Sequence, residues 1–226
     1  MLDSHPVGGH HDRATVLGLP GVDGGLLCAC ALRLVLGHAS ESRPGPGGDT
    51  EPVLHLELLP DPATELRLRQ DWARLEERGL PNLSRHRRDS NRPHLTVTIS
   101  ADEVAAAGVA PLLPDLRRAT STLPLPLAPA AVSVFGTGPW VLVRTLVVTP
   151  ALLDLHARVQ SVMGRPCVPH LAPGEWVPHT TIARRLDAAQ VAAALEVLQP
   201  VELAGAVWER ARLWDSARQQ VTDVPR

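Results

Sequence analysis

One pattern, Pro-His-x-Thr followed by a β-branched residue, occurs twice in this chain of 226 residues: Pro93-His94-Leu95-Thr96-Val97 and Pro178-His179-Thr180-Thr181-Ile182. The chain's own supply of Pro, His and Thr would produce about 0.06 copies by chance, so two copies need a cause. Both follow a proline, which suits the start of an extended segment rather than a helix interior. In a strand, residues i and i+2 share a face. Each copy therefore presents an imidazole and a hydroxyl side by side. Two such strands brought together place two His and two Thr around one small pocket.

The flanking pattern is regular. Residues 53–59 (VLHLELL) read as a buried strand. Asp61 as N-cap and Pro62 at the first helical position open a helix with Leu68, Trp72 and Leu75 on its apolar face, closed by Gly79. A strand runs from His94 to Ile99. Residues 101–118 read as short, Pro-broken helix. Residues 123–135 and 140–148 read as two strands around the turn at 136–139 (GTGP). Thr149 and Pro150 repeat the cap-then-proline start, with Leu152, Leu155, Val159 and Val162 as the stripe and Gly164 as the stop. His156 is expected on that helix's surface and His170 in a loop. Residues 180–183 read as strand. Asp187 and Gln190 read as a capping box before helix 191–198, and 201–215 as strand-rich. Helices and paired strands alternate only partly, so the expected class is α+β with mostly antiparallel sheets. Residues 1–50 differ: they are rich in Gly, His and Pro and end in SESRPGPGGD. They read as a poorly ordered extension, with the folded domain at 51–226 and the His5, His10, His11 group as part of a tail.

Composition narrows the chemistry. The net charge is −2, with no global basic field to hold long nucleic acid. The sequence contains no Lys, which excludes a Schiff base, and no Tyr, which excludes a phenolic acid. All its cations are Arg, the better fork for phosphate. Cys28, Cys30 and Cys167 make no disulfide framework, and Cys28-x-Cys30 lacks metal spacing, so a reducing, cytoplasmic setting is expected. No apolar run reaches 18 residues, so no membrane span is expected. The apolar stretch 26–37 carries Arg33 and follows a leader with one cation and three anions, a poor signal peptide.

Two imidazoles suit phosphodiester chemistry without a metal. One, neutral, takes a proton from the nucleophile; the other, charged, gives one to the leaving oxygen. Two hydroxyls hold the non-bridging oxygens. A Ser/Thr nucleophile needs only one His and leaves the duplication unexplained. The paired motifs resemble the 2H phosphoesterase superfamily, which includes the 2′-5′ RNA ligase (LigT-like) proteins and cyclic phosphodiesterases. The run 179–184 (HTTIAR) is similar to that family's second motif. The resemblance implies a two-lobed, pseudo-two-fold fold with helices outside a central cleft. It implies opening of 2′,3′-cyclic phosphates to 2′-phosphates, with 2′-5′ joining in some members. It makes His94 and His179 the acid–base pair, either being the base, and gives phosphate to Thr96 and Thr181. Departures from the family are the long extension and the polar Thr180.

Further candidates come from residue type. Arg184 is placed to fork a phosphate, with Arg92 a weaker candidate. Trp176, and behind it Phe135 and Trp140, are flat surfaces for a base, although core packing suits each. The basic run 85–89 (RHRRD) lies next to the first motif, and Cys167 reads as structural. The expected partners are RNA termini or small cyclic nucleotides, met by a monomer with no cofactor and no metal. A metal-dependent phosphohydrolase needs several carboxylates, and only Glu175 lies within three residues of either motif. A pocket that binds RNA ends without turnover is the other alternative.

Overall fold

The run VLHLELLP is apolar except for His55 and Glu57, and it forms β1 (Val53–Pro60), buried along its whole length. Asp61 then accepts the Thr64 N–H at 2.8 Å and opens α1 (Pro62–Glu77). The chain continues through β2 (Leu95–Ala101), a 3₁₀ turn (Ala110–Leu112), α2 (Leu113–Ala119), β3 (Leu125–Pro126), β4 (Pro129–Phe135), β5 (Trp140–Leu146) and α3 (Pro150–Met163). It ends with β6 (His179–Leu186), α4 (Ala188–Val197), β7 (Val207–Asp215) and β8 (Gln220–Asp223). This computed structural model describes residues 53–85, 90–101, 104, 107–198 and 205–226. The expected extension at 1–50, with Cys28, Cys30 and its histidines, and positions 86–89 of the basic run lie outside the described residues.

The fold is α+β. One sheet has the order β2-β1-β7-β3, with β8 also on β7; the other is β4-β5-β6. All pairings are antiparallel. A repeat is visible. In β1-α1-β2 and again in β5-α3-β6, a helix opened by a polar cap and a proline joins two strands that pair antiparallel. In each repeat the second strand carries the His-x-Thr motif and forms the edge of its sheet. The two edges, β2 and β6, approach each other. The helices are partly exchanged. Trp72 and Leu75 of α1 pack with Leu142, Ile182 and Leu186 of the second sheet. Leu152, Leu155 and Val159 of α3 pack with Leu56 and Val97 of the first. A buried ion pair ties α1 to β5: Arg144 meets Asp71 through Nε at 2.5 Å and Nη2 at 3.0 Å. No described helix is long and apolar enough to cross a membrane.

Two expectations need correction. Residues 123–135 are not one strand. Pro124, Pro126 and Pro129 remove backbone donors, and the chain crosses there from β3 in the first sheet to β4 in the second. Within 101–118 the expected short, Pro-broken helix is found: residues 104 and 107 are helical, Pro111 lies in the 3₁₀ turn and Pro114 in α2's first turn. His156 is buried rather than on the surface, because the loop at 169–171 covers it. Its Nε2 lies 3.0 Å from the Leu171 carbonyl and its ring stacks on Trp176 at 4.2 Å. The short edge strand β8 carries no periodic signal and was not expected.

Candidate functional site

Both motifs hold their histidines in the same backbone harness. His94 Nδ1 lies 2.7 Å from the Arg92 carbonyl, and His179 Nδ1 lies 2.7 Å from the Val177 carbonyl. A carbonyl only accepts, so Nδ1 carries the proton in both rings. Nε2 is left as the nitrogen that exchanges protons.

Both motifs also contain a β-bulge at the same position. In β2, Thr96 stands opposite Glu57 and Thr98 opposite Leu56, so Val97 is the extra residue. In β6, Thr181 stands opposite Val143 and Ala183 opposite Leu142, so Ile182 is the extra residue. Each bulge swaps the faces of the residues C-terminal to it. His94 and Thr96 share the Glu57 face, while Thr98 and Ser100 turn under α3. There Thr98 accepts from Gln160 at 3.1 Å, and Ser100 donates to the Met163 carbonyl at 2.6 Å. In β6 the bulge puts Arg184 on the face of His179 and Thr181; strict alternation would put it on the opposite face. The β-branched residue that closes each motif is thus the bulge residue, buried in its own core cluster.

The surroundings of the two rings differ. His94 is half-buried, with 26% of its side chain exposed, and its Nε2 lies 3.6 Å from Glu57 Oε1. Glu57 is buried and accepts from Arg212 Nε at 2.7 Å, while Arg212 Nη2 donates to the Ser90 carbonyl at 2.8 Å. Burial pulls the Glu57 carboxyl upward. The charges of His94, Arg212 and His55, with the Arg212 hydrogen bond, outweigh it and hold Glu57 below the ordinary range. Among the described residues, His179 has no such carboxylate. Phe135 meets it edge-on at 4.9 Å. Burial pushes its pKa down, the hydrogen bond to Val177 pushes back, and the charges of His170, His94 and Arg184 add to the lowering. His94 and Arg184 are therefore both within electrostatic reach of His179, and the Glu57 charge also reaches Arg184.

Of the expected site residues, His94, Thr96, His179, Thr181 and Arg184 lie along the facing edges of β2 and β6. Trp176 lies beside them in another posture. Its indole N–H donates to the Thr96 carbonyl at 3.2 Å, and one ring face is taken by His156. It thus fastens the loop before the second motif to the strand of the first. Arg92 is held by Glu65, to which Nε donates at 2.9 Å, and Arg85 pairs with Glu76. Glu57, Arg212 and the influence of His170 were not anticipated. The signal for Glu57 was a lone carboxylate inside an apolar strand; nothing in the sequence marked Arg212. Among the described residues no group of three or more His, Cys, Asp or Glu side chains converges as metal ligands.

The comparisons with known proteins bear on this arrangement. Residues 112–220 match the 2′-5′ RNA ligase superfamily model. The resemblance is therefore found independently over the half of the chain that carries the second motif. The superfamily match contains His179, Thr181 and Arg184 and stops short of His94, Thr96 and Glu57. Among solved structures, the chain is similar to Kluyveromyces marxianus Usb1 with uridine monophosphate, at 12% identity over 78% of this chain and 98% of that one, with a TM-score of 0.46. It is also similar to E. coli LigT in apo form, at 13% identity over 78% and 96%, with a TM-score of 0.47. A LigT structure with 3′-AMP scores 0.45 at 13% identity over the same shares. No curated protein matches the chain by sequence.

Proposed function

We propose that this chain is a metal-independent phosphoesterase that opens 2′,3′-cyclic phosphates, on RNA ends or free nucleotides, to 2′-phosphates. The observation that carries the proposal is the contrast between two identically harnessed imidazoles. His179, lowered by burial and cations, is neutral near pH 7 and is the base. His94, whose Nε2 lies 3.6 Å from the Glu57 carboxylate, is the acid.

Water attacks phosphorus while His179 Nε2 takes its proton. The P–O3′ bond breaks, and His94 Nε2 protonates the departing 3′-oxygen. The phosphate stays on O2′. The Thr96 and Thr181 hydroxyls donate to the non-bridging oxygens, and the Arg184 guanidinium neutralises charge that builds in the transition state. With a 5′-hydroxyl in place of water, the same transfers form a 2′-5′ linkage. Trp176 holds the first motif's strand and offers at most its second face to a base. RNA ends in a reducing, cytoplasmic setting are the expected substrates, in keeping with the cysteine usage.

The test is a panel of 2′,3′-cyclic nucleotides and oligoribonucleotides ending in 2′,3′-cyclic phosphate, assayed with the wild type, His94→Ala and His179→Ala, each with and without chelator. The expected result is 2′-phosphate product, unaffected by chelator and lost in both variants. Full activity in either variant, or loss with chelator, overturns the proposal.

A further inference from the structure

The outer edge of β7 is covered in two pieces. Trp208 and Val207 pair with β3, and residues 212–215 pair with β8. Between them, at 209–211, no described strand pairs; the C-terminal segment lies there instead, with the Val224 N–H donating to the Ala211 carbonyl at 2.9 Å and Arg226 Nη2 to the Glu209 carbonyl at 3.3 Å, beside a cavity of about 440 Å³. Its wall is Glu209, Arg210 and Ala211 of β7, the C-terminal segment 224–226, and the last turn of α2 with Thr120 and Ser121 behind it. None of these residues belongs to the His94–His179 site.

Four arginines, Arg117, Arg118, Arg210 and Arg226, line this notch with one acidic residue, Glu209. The Glu209 carboxylate is shared: Arg210 Nε lies 3.1 Å from it and Arg226 Nη2 3.8 Å. Arg118 pairs with Asp115 outside the cavity. Arg117 has no partner among the described residues. Arg117 and Arg118 do complement the dipole at the end of α2, but that role needs neither Arg210 nor Arg226. A local excess of cations in a chain of net charge −2 is a planar-fork site for anions. Arg210 also lies two residues from Arg212, the partner of Glu57, or roughly 7 Å along a strand.

The geometry points to a second anion site at this notch, taking phosphate groups. The source is either the phosphodiesters of a nucleotide chain or free phosphate. The site goes beyond the proposed activity and does not depend on it.

Two probes separate the sources, and both use the full chain. The first is an oligoribonucleotide ending in a plain 3′-hydroxyl, followed by fluorescence anisotropy at several salt concentrations. The second is inorganic phosphate, followed by NMR of the arginine Nε–H resonances. The variants are Arg117→Ala with Arg226→Ala, and the charge reversal Arg117→Glu. Both positions are exposed, Arg226 at 70% of its side chain, so the fold is retained. If the notch holds a strand, oligonucleotide affinity falls about tenfold in the double variant, and the slope of log affinity against log salt drops by about 1.4 for two single-strand phosphates. Hydrolysis of a cyclic mononucleotide stays unchanged. If it holds free phosphate, phosphate alone shifts the Arg210 and Arg226 resonances, and Arg117→Glu removes the effect. Oligonucleotide affinity unchanged in every variant, together with no arginine shift in phosphate, overturns the site. Binding is read without turnover, so failure of the phosphoesterase proposal leaves this result intact.

Discussion

The two motifs share a backbone and differ in their company. Each has the Nδ1 harness, the hydroxyl two residues on and the bulge at the β-branched residue. Five positions after the histidine they diverge: β2 has buried Ile99 beside His55, whereas β6 has Arg184. Across the strand they diverge again, with Glu57 opposite Thr96 and Val143 opposite Thr181. A symmetric scaffold supplies position, and these unlike neighbours supply polarity. One imidazole faces an anion and the other sits among cations. In the proposed reaction, acid and base roles thus come from a few side chains rather than from the repeat itself.

The largest effect that tests this contrast is in turnover. His94→Ala and His179→Ala should each lower kcat on a cyclic phosphate about 10²–10⁴-fold, with the melting temperature unchanged. A nucleoside 2′-(p-nitrophenyl phosphate) diester sharpens the comparison, because its leaving group departs without a proton. His94→Ala should recover most of its loss on this substrate, and His179→Ala should not. Equal recovery in both would break the assignment of roles.

Next is stability, where the exchanged helices are held unequally. Asp71→Ala leaves Arg144 buried without its carboxylate and should cost about 3–5 kcal/mol. Gln160→Ala removes neutral bonds to Thr98 and to the Leu171 carbonyl and should cost about 1–2 kcal/mol. Chemical denaturation measures both, and similar losses would refute the asymmetry. Smaller again is Glu57→Gln, expected to slow cyclic-phosphate turnover about tenfold through the proton given by His94 while sparing the aryl diester. The smallest effect concerns pH. His179 must be neutral to accept a proton, so activity is lost as pH falls through its pKa. Its lowered value puts that acid limb below the ordinary imidazole range. His170→Gln removes one of the charges that lower it and should move the limb upward in a kcat/KM profile; a downward move would contradict the role given to His170.

Much of this was legible because it is local. The period of two through His94-Leu95-Thr96, the Asp61-Pro62 and Thr149-Pro150 helix starts and the Asp187–Gln190 box all lie within a few residues. The illegible part depends on distant partners. Glu57 finds Arg212 far along the chain, and only the sheet order β2-β1-β7 brings them together. His156 lies between Leu155 and Val159 on α3, and only the cover supplied by Leu171 and Trp176 buries it. The split of 123–135 between two sheets was signalled by its prolines, but their direction of crossing was not. A bulge leaves no mark in the residue pattern, so Arg184 was a candidate by residue type alone, and the backbone shift that turns it to the face of His179 was not legible.

The exchange of helices also decides how this polypeptide can be divided. A cut at the 136–139 turn leaves α1 on one fragment and the sheet beneath Trp72 on the other, and it parts β1 from β7. Neither fragment keeps a complete interior. Co-expressed, the two should reassemble around the shared strands and restore activity, which makes that turn the natural place to build a split reporter.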